Sequence, residues 1–185
     1  MLKIYAAHTS RERESACAYA LLAFAWRALF TQPTPPLCKE AGGRPYFAGN
    51  PVFFSLSHSG GVACAAISDG RVGVDLECIR PIRPALVQRV LAPSEQRQLA
   101  DAVPQGVCFF HFWTLKEAYL KFTGEGLRSD MEALCFDLSG RTPKLKGSAL
   151  CFQTLHMDGG VVLSVCTERA EHAELTELSL DALDL

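Results

Sequence analysis

No C-x-x-C pair and no histidine-rich neighbourhood occurs among the eight cysteines, at 17, 38, 64, 78, 108, 135, 151 and 166, which excludes the paired-thiolate zinc motifs. Most of these cysteines lie in apolar runs such as Val62 to Ile67, where a free thiol behaves as a small hydrophobe. A reducing, cytoplasmic setting is therefore expected. Residues 1 to 8 hold no basic segment leading into a signal-peptide core. The apolar stretch from Ala16 to Phe30 is too short to span a bilayer and carries Arg27. A dominant charge is also missing: the formal net charge of -2 provides no global field for nucleic acid or an anionic membrane. Any anion site must be local.

What remains is ordinary globular composition, 49% apolar and 21% charged over 185 residues, enough for one domain or two small halves. Residues 2 to 7 pattern as a strand. Ser10 stands where a cap would start a helix running to about Phe30, and the prolines of Thr31 to Pro36 end it. Phe53 to His58 alternates as a strand, and Val62 to Ile67 and Val72 to Leu76 suggest a hairpin around Ser68 to Arg71. Helices follow over about 84 to 91, from Pro93, and from Val107 to Phe122. Ala133 to Glu168 has the alternation of a small antiparallel sheet, and the acidic tail from Glu171 is unassigned. An internal echo, Gly60-Gly61-Val62 and Gly159-Gly160-Val161 before apolar runs, fits either a repeated half or two common glycine turns.

The chemistry-bearing residues centre on Gly73-Val74-Asp75-Leu76-Glu77. Strand alternation turns Val72, Val74 and Leu76 to one face and Asp75 and Glu77 to the other. Two carboxylates that close suit a hard cation such as Mg²⁺, or form the solvated face of a strand. Glu117 and Lys121 lie one helical turn apart, which fits a site or a plain surface pair. Lys116, on an adjoining face, reads as solvated. His58, between Ser57 and Ser59 and before two glycines, fits an anion contact or a structural strand end. Glu95, third in its helix, lacks a hydroxyl partner at Ala92 for a capping box, and so is a candidate proton acceptor. Arg44, after Gly42-Gly43, places a cation beside open backbone.

Phe54-Ser55-Leu56-Ser57-His58-Ser59, then Gly73 to Glu77, then Phe112-Trp113 through Lys121 with Gly124-Glu125-Gly126-Leu127, resemble the 4′-phosphopantetheinyl transferases, most closely the monomeric type that serves peptide and polyketide synthetases. The resemblance spans about residues 43 to 127. It implies an α+β pseudodimer of two similar halves, 1–70 and 71–185, with coenzyme A bound between them. The implied reaction moves the phosphopantetheine arm to a serine of an apo acyl or peptidyl carrier domain and releases adenosine 3′,5′-bisphosphate. By the same resemblance Asp75, Glu77 and Glu117 would hold Mg²⁺. Arg44, Ser57 and His58 would contact coenzyme A, and Lys121 the leaving phosphate. Glu95, or else Glu117, would be the base. Arg11 and Arg13 are the only cations where the family often has a basic cluster for the 3′-phosphate. A silent binding module and a Mg²⁺-dependent diphosphate hydrolase are the rival classes.

Overall fold

Alternation sets the layers. In β5 (Val62–Ser68), Val62, Cys64 and Ala66 point one way and Ala63, Ala65 and Ile67 the other, and all are buried. A strand of small and branched residues with two apolar faces belongs in the middle of a sheet covered on both sides. The computed structural model, which describes residues 1–40, 42–49, 51–126 and 130–183, places it so. β5 lies between β1 (Leu2–His8) and β4 (Phe53–Ser59), and β11 (Glu174–Glu177) adds to β1 in parallel. Both edges of β5 are thus taken, so the expected hairpin with β6 (Val72–Cys78) does not form. β6 pairs instead with β10 (Val161–Thr167), which pairs with β9 (Cys151–Met157).

The result is an α+β fold in four layers. Helix α1 (Glu14–Leu29) packs Cys17, Leu21, Leu22 and Trp26 on one face of the first sheet. The other face meets the second sheet through Ile4, Ala66, Val74, Leu76 and Leu163. Helix α4 (Gln105–Thr123) covers the far face of the second sheet with Phe109, Phe112, Leu115 and Ala118. The chain runs strand, helix, hairpin twice over, β1-α1-β4-β5 and β6-α4-β9-β10, with the same antiparallel order in both sheets. The two glycine pairs occupy the corresponding hairpin turns. Gly60 and Gly61 have φ of 64° and 90°, and Gly159 and Gly160 have 79° and 73°, values that glycine adopts without steric cost. Two short ribbons, β2 (Leu37–Lys39) with β3 (Pro45–Phe47) and β7 (Phe136–Asp137) with β8 (Lys144–Leu145), flank these layers. The acidic tail supplies β11 and so returns to the first sheet. Ser10 caps nothing: a 3₁₀ turn over Arg11–Arg13 precedes α1.

Helix α3 (Pro93–Asp101) is tied to α4 by a buried ion pair whose ammonium also bonds a carbonyl at the end of α2 (Pro84–Val90), and both helices pack apolar residues against α4. Lys116, expected in solvent, is fully buried, and its Nζ donates to Glu95 Oε2 at 2.5 Å, to the Val90 carbonyl at 2.7 Å and to the Met131 carbonyl at 2.8 Å. Glu95 accepts from the Ala92 and Phe136 N–H groups, each at 2.7 Å. The capping bond therefore forms from the glutamate side alone, without a hydroxyl at Ala92. Glu95→Ala leaves the ammonium buried and unpaired, so unfolding free energy in urea is expected to drop by about 3–5 kcal/mol. A drop under about 1 kcal/mol would mean that water reaches the pair.

Candidate active site

The site is assembled where edge strands β4 and β6 of the two sheets meet. No ladder joins them; serine hydroxyls do. Ser55 and Ser57, two apart and therefore on one face of β4, accept the Val74 and Leu76 N–H groups at 3.0 and 3.3 Å. Ser57 Oγ donates to Asp75 Oδ1 at 2.7 Å, and Ser59 Oγ donates to Glu77 Oε2 at 2.6 Å. The seam satisfies the outward N–H groups of β6 that a neighbouring strand would otherwise take.

Helix α4 closes on this seam because Gly73 has no side chain. A Cβ there would lie 2.1 Å from the Ala118 carbonyl oxygen, so backbone meets backbone. The approach delivers Lys121, whose Nζ reaches Asp75 Oδ1 at 2.7 Å, Ser57 Oγ at 2.8 Å and the Leu56 carbonyl at 3.2 Å. The ion pair of Lys121 thus crosses to Asp75 instead of running one turn back to Glu117. Asp75 is buried, and its Oδ2 has no hydrogen-bond partner. Burial pushes its carboxyl up against the pull of Lys121. Glu117, half-buried, is raised to about 7, by burial first and then by the charge of Asp75.

Arg44 spans the mouth. Its Nη1 donates to the Phe122 carbonyl at the end of α4 at 3.2 Å, and its Nη2 to the Val72 carbonyl at 3.4 Å. Arg44, Glu117 and Lys121 line one cleft of about 410 Å³, floored by Leu56 and Leu120 and rimmed by Gly43 and Gly124. A second cavity of about 510 Å³ shares Arg44, Pro45 and Phe54 with it. Leu127 of the glycine motif lies outside the described residues.

The remaining expected residues are placed differently. Glu77 shares a face with Asp75 but is held by Ser59 and, at 2.5 Å, by Arg80. Among the described residues no three carboxylate, thiol or imidazole groups are gathered into a ready cation cage. Like charges spread onto the serines, Lys121 and Arg80. The donor set nevertheless suits a hard divalent cation, since Asp75 Oδ2 is a buried carboxylate oxygen with nothing to bond. His58 projects from the opposite face of β4, its Nδ1 3.1 Å from Glu14 Oε2. Glu14, which the sequence reading passed over, also accepts the Gly61 N–H, so a carboxylate of the protein itself occupies the donors expected to meet an anion. Glu95, expected as the base, is 0% exposed and does not line the cleft, and its oxygens are committed to Lys116 and two backbone N–H groups.

The raised carboxyl of Glu117 has a measurable consequence. In the absence of divalent cations the folded protein keeps a proton on Glu117 that the unfolded chain has lost. Stability should therefore fall as pH rises from about 4.5 to about 7. Glu117→Gln is expected to flatten that fall in thermal melts; an unchanged slope in the variant would assign it to another group.

A sequence profile of the 4′-phosphopantetheinyl transferase superfamily matches residues 71–178. Over 148 residues the chain is 34% identical to the 4′-phosphopantetheinyl transferase psf-1 of Bacillus pumilus, covering 74% of this chain and 63% of that protein. It is 41% identical over 98 residues to the 4′-phosphopantetheinyl transferase HetI of Nostoc sp. strain PCC 7120, covering 48% of this chain and 41% of that one. The chain thus spans about two fifths to two thirds of the length of these relatives. Among solved structures, the holo-[acyl-carrier-protein] synthase of Thermotoga maritima aligns with a TM-score of 0.45 at 25% identity, over 54% of this chain and 64% of that one. The profile covers β6 with its acidic pair and the whole of α4 with Glu117 and Lys121, and on that match the chain belongs to the 4′-phosphopantetheinyl transferase superfamily.

Proposed function

We propose that this protein transfers the 4′-phosphopantetheine arm of coenzyme A to a serine of an apo acyl or peptidyl carrier domain, giving holo-carrier and adenosine 3′,5′-bisphosphate. The observation that carries the reading is the buried Asp75, its Oδ2 unpartnered and its Oδ1 bonded by Lys121, an ammonium that lines one cleft with Glu117 and Arg44. Attack on a diphosphate asks little covalent help of a protein and much charge neutralisation and alignment. Asp75, Glu77 and Glu117 would hold Mg²⁺, which when bound supplies the positive charge that a diphosphate requires.

The protein's own groups do the rest. Arg44, fixed by two carbonyls, presents its remaining donors to a phosphate. Lys121 lies where charge grows on the departing phosphate as its bond to the transferred phosphorus breaks. The carrier serine forms the new bond and gives up its proton. With Glu95 withdrawn into the core, Glu117, which lines the cleft, takes that proton, directly or through a water, by an oxygen that does not hold the metal. Ser57 positions Lys121 and Asp75. His58 meets an anion only through Nε2, with Glu14 on its other nitrogen. The two cavities that flank Arg44 give room for the long coenzyme.

The same reading makes the chain a monomer of two halves, 1–70 and 71–185, working in the cytoplasm. The repeated strand order and eight free thiols support it. Among the described residues no helix is long and apolar enough to cross a membrane.

The test is the intact mass of an apo carrier domain incubated with the protein, coenzyme A and Mg²⁺, alongside a chelator control. One added phosphopantetheine, only with the metal, is expected. Breakdown of coenzyme A with no gain on the carrier would favour a hydrolase. Asp75→Ala and Glu117→Ala are expected to slow transfer by roughly 100-fold or more with unchanged circular dichroism; near-normal turnover in either removes that residue from the site.

A further inference from the structure

We propose that His111 of α4 and His156 of β9 form a second metal site, one that chelates a divalent transition-series ion such as Zn²⁺ away from the acidic cleft. Their Nε2 atoms lie 3.1 Å apart and their ring centroids 5.0 Å apart. Imidazole nitrogens bind zinc at about 2.0–2.1 Å, so one ion can touch both at an angle of roughly 100°, between the octahedral and tetrahedral values. The placement of the rings supports convergence. Rings meeting head-on across that gap would hold their centroids about 5.4 Å apart, whereas rings aimed at a shared ion would hold them at about 4.8 Å. The observed spacing is nearer the second.

Without a metal, one hydrogen bond holds the pair and needs a proton on one of the two facing nitrogens. An ion takes its place when that ring adopts the other tautomer, its proton moving to Nδ1. Burial first, and then the charge of His156, push His111 down to about 4, so this ring is a neutral ligand at neutral pH. The surroundings select the metal. The cavity around the pair, about 330 Å³, is lined also by Arg141, Thr142 and Thr154, and among the described residues by no carboxylate and no thiol. Two imidazoles without carboxylates suit Zn²⁺, Cu²⁺ or Ni²⁺ and are poor ligands for Mg²⁺. His156 is exposed, so an ion enters from solvent and water completes its coordination.

The fold sets this site apart from the cleft. Glu77, Val162 and His156 stand opposite one another on β6, β10 and β9, which puts His156 two strand spacings, about 10 Å, from the acidic pair. Along α4, His111 precedes Glu117 by six residues, about 9 Å. An ion held by both rings clasps the N-terminal half of α4 to the edge strand of its sheet, and so braces the helix that carries Glu117 and Lys121 farther along.

The experiment is calorimetric titration of Zn²⁺ into tag-free protein at neutral pH, with Mg²⁺ in excess to occupy the carboxylates, for the wild type, His156→Gln and His111→Gln. One zinc per chain is expected in the wild type, weakened about tenfold or more in each variant, because losing either ring ends chelation. Zinc is also expected to raise the melting temperature of the wild type and leave that of His156→Gln unchanged. His156 is exposed, so this variant should keep the wild-type circular dichroism. No zinc binding by the wild type overturns the assignment. Equal affinity or an equal thermal shift in the variants also overturns it, by placing the ion on thiols or carboxylates, and weakening in one variant alone reduces the chelate to a single imidazole. Each of these failures leaves the transfer reading intact, since no step of that reaction uses either ring.

Discussion

Everything at the cleft hangs on one ammonium, that of Lys121. Its three bonds reach β4 through Leu56 and Ser57 and β6 through Asp75, while its backbone belongs to α4. Three elements that share no ladder are thereby tied at a single point. The attraction also offsets part of the cost of burying Asp75, whose second oxygen gains nothing from the protein. Such an arrangement is poor as pure stabilisation, since an apolar pair of the same volume would avoid the desolvation penalty. Its retention makes sense if a further positive charge is part of the working state.

The buried pair of Lys116 and Glu95 shows the contrast. It has equally little contact with solvent, but every oxygen of Glu95 and three bonds of Lys116 are accounted for within the fold. One pair is closed and structural. The other is left one partner short and lies beside a cleft. Because Lys116 and Glu117 are adjacent on α4, the closed pair also fixes the helix rotation that aims Glu117 at the cleft.

The shared face of Asp75 and Glu77 was legible because the period of a strand dictates it. Helical spacing set Glu117 and Lys121 on one side of α4, but that the ammonium meets Asp75 depends on β6 lying alongside. Ser55, Ser57 and Ser59 were visible as a hydroxyl-rich run, yet their role as the seam between two sheets depends on β6 lying alongside, which no local pattern states. Glu95 misled because its second partner, the Phe136 N–H, is 41 positions away. Lys116 misled for the same reason: an ammonium in a helix reads as solvated unless its distant acceptors are known. The β5–β6 hairpin failed once β1 and β4 had taken both edges of β5. Strand β11 was hidden by its brevity, four residues of which Leu175 alone joins the core. Glu14 could have been found only by asking what lies across from the Gly60-Gly61 turn.

The central claim is that Asp75, Glu117 and Lys121 form one unit that binds a diphosphate with the aid of a divalent cation. Calorimetric titration of coenzyme A into the protein, with Mg²⁺ and with chelator, for the wild type and for Glu117→Gln, addresses it most directly. The account predicts that Mg²⁺ tightens binding by about tenfold or more in the wild type and by much less in the variant. Binding that ignores Mg²⁺ in both proteins, at equal affinity, would contradict it.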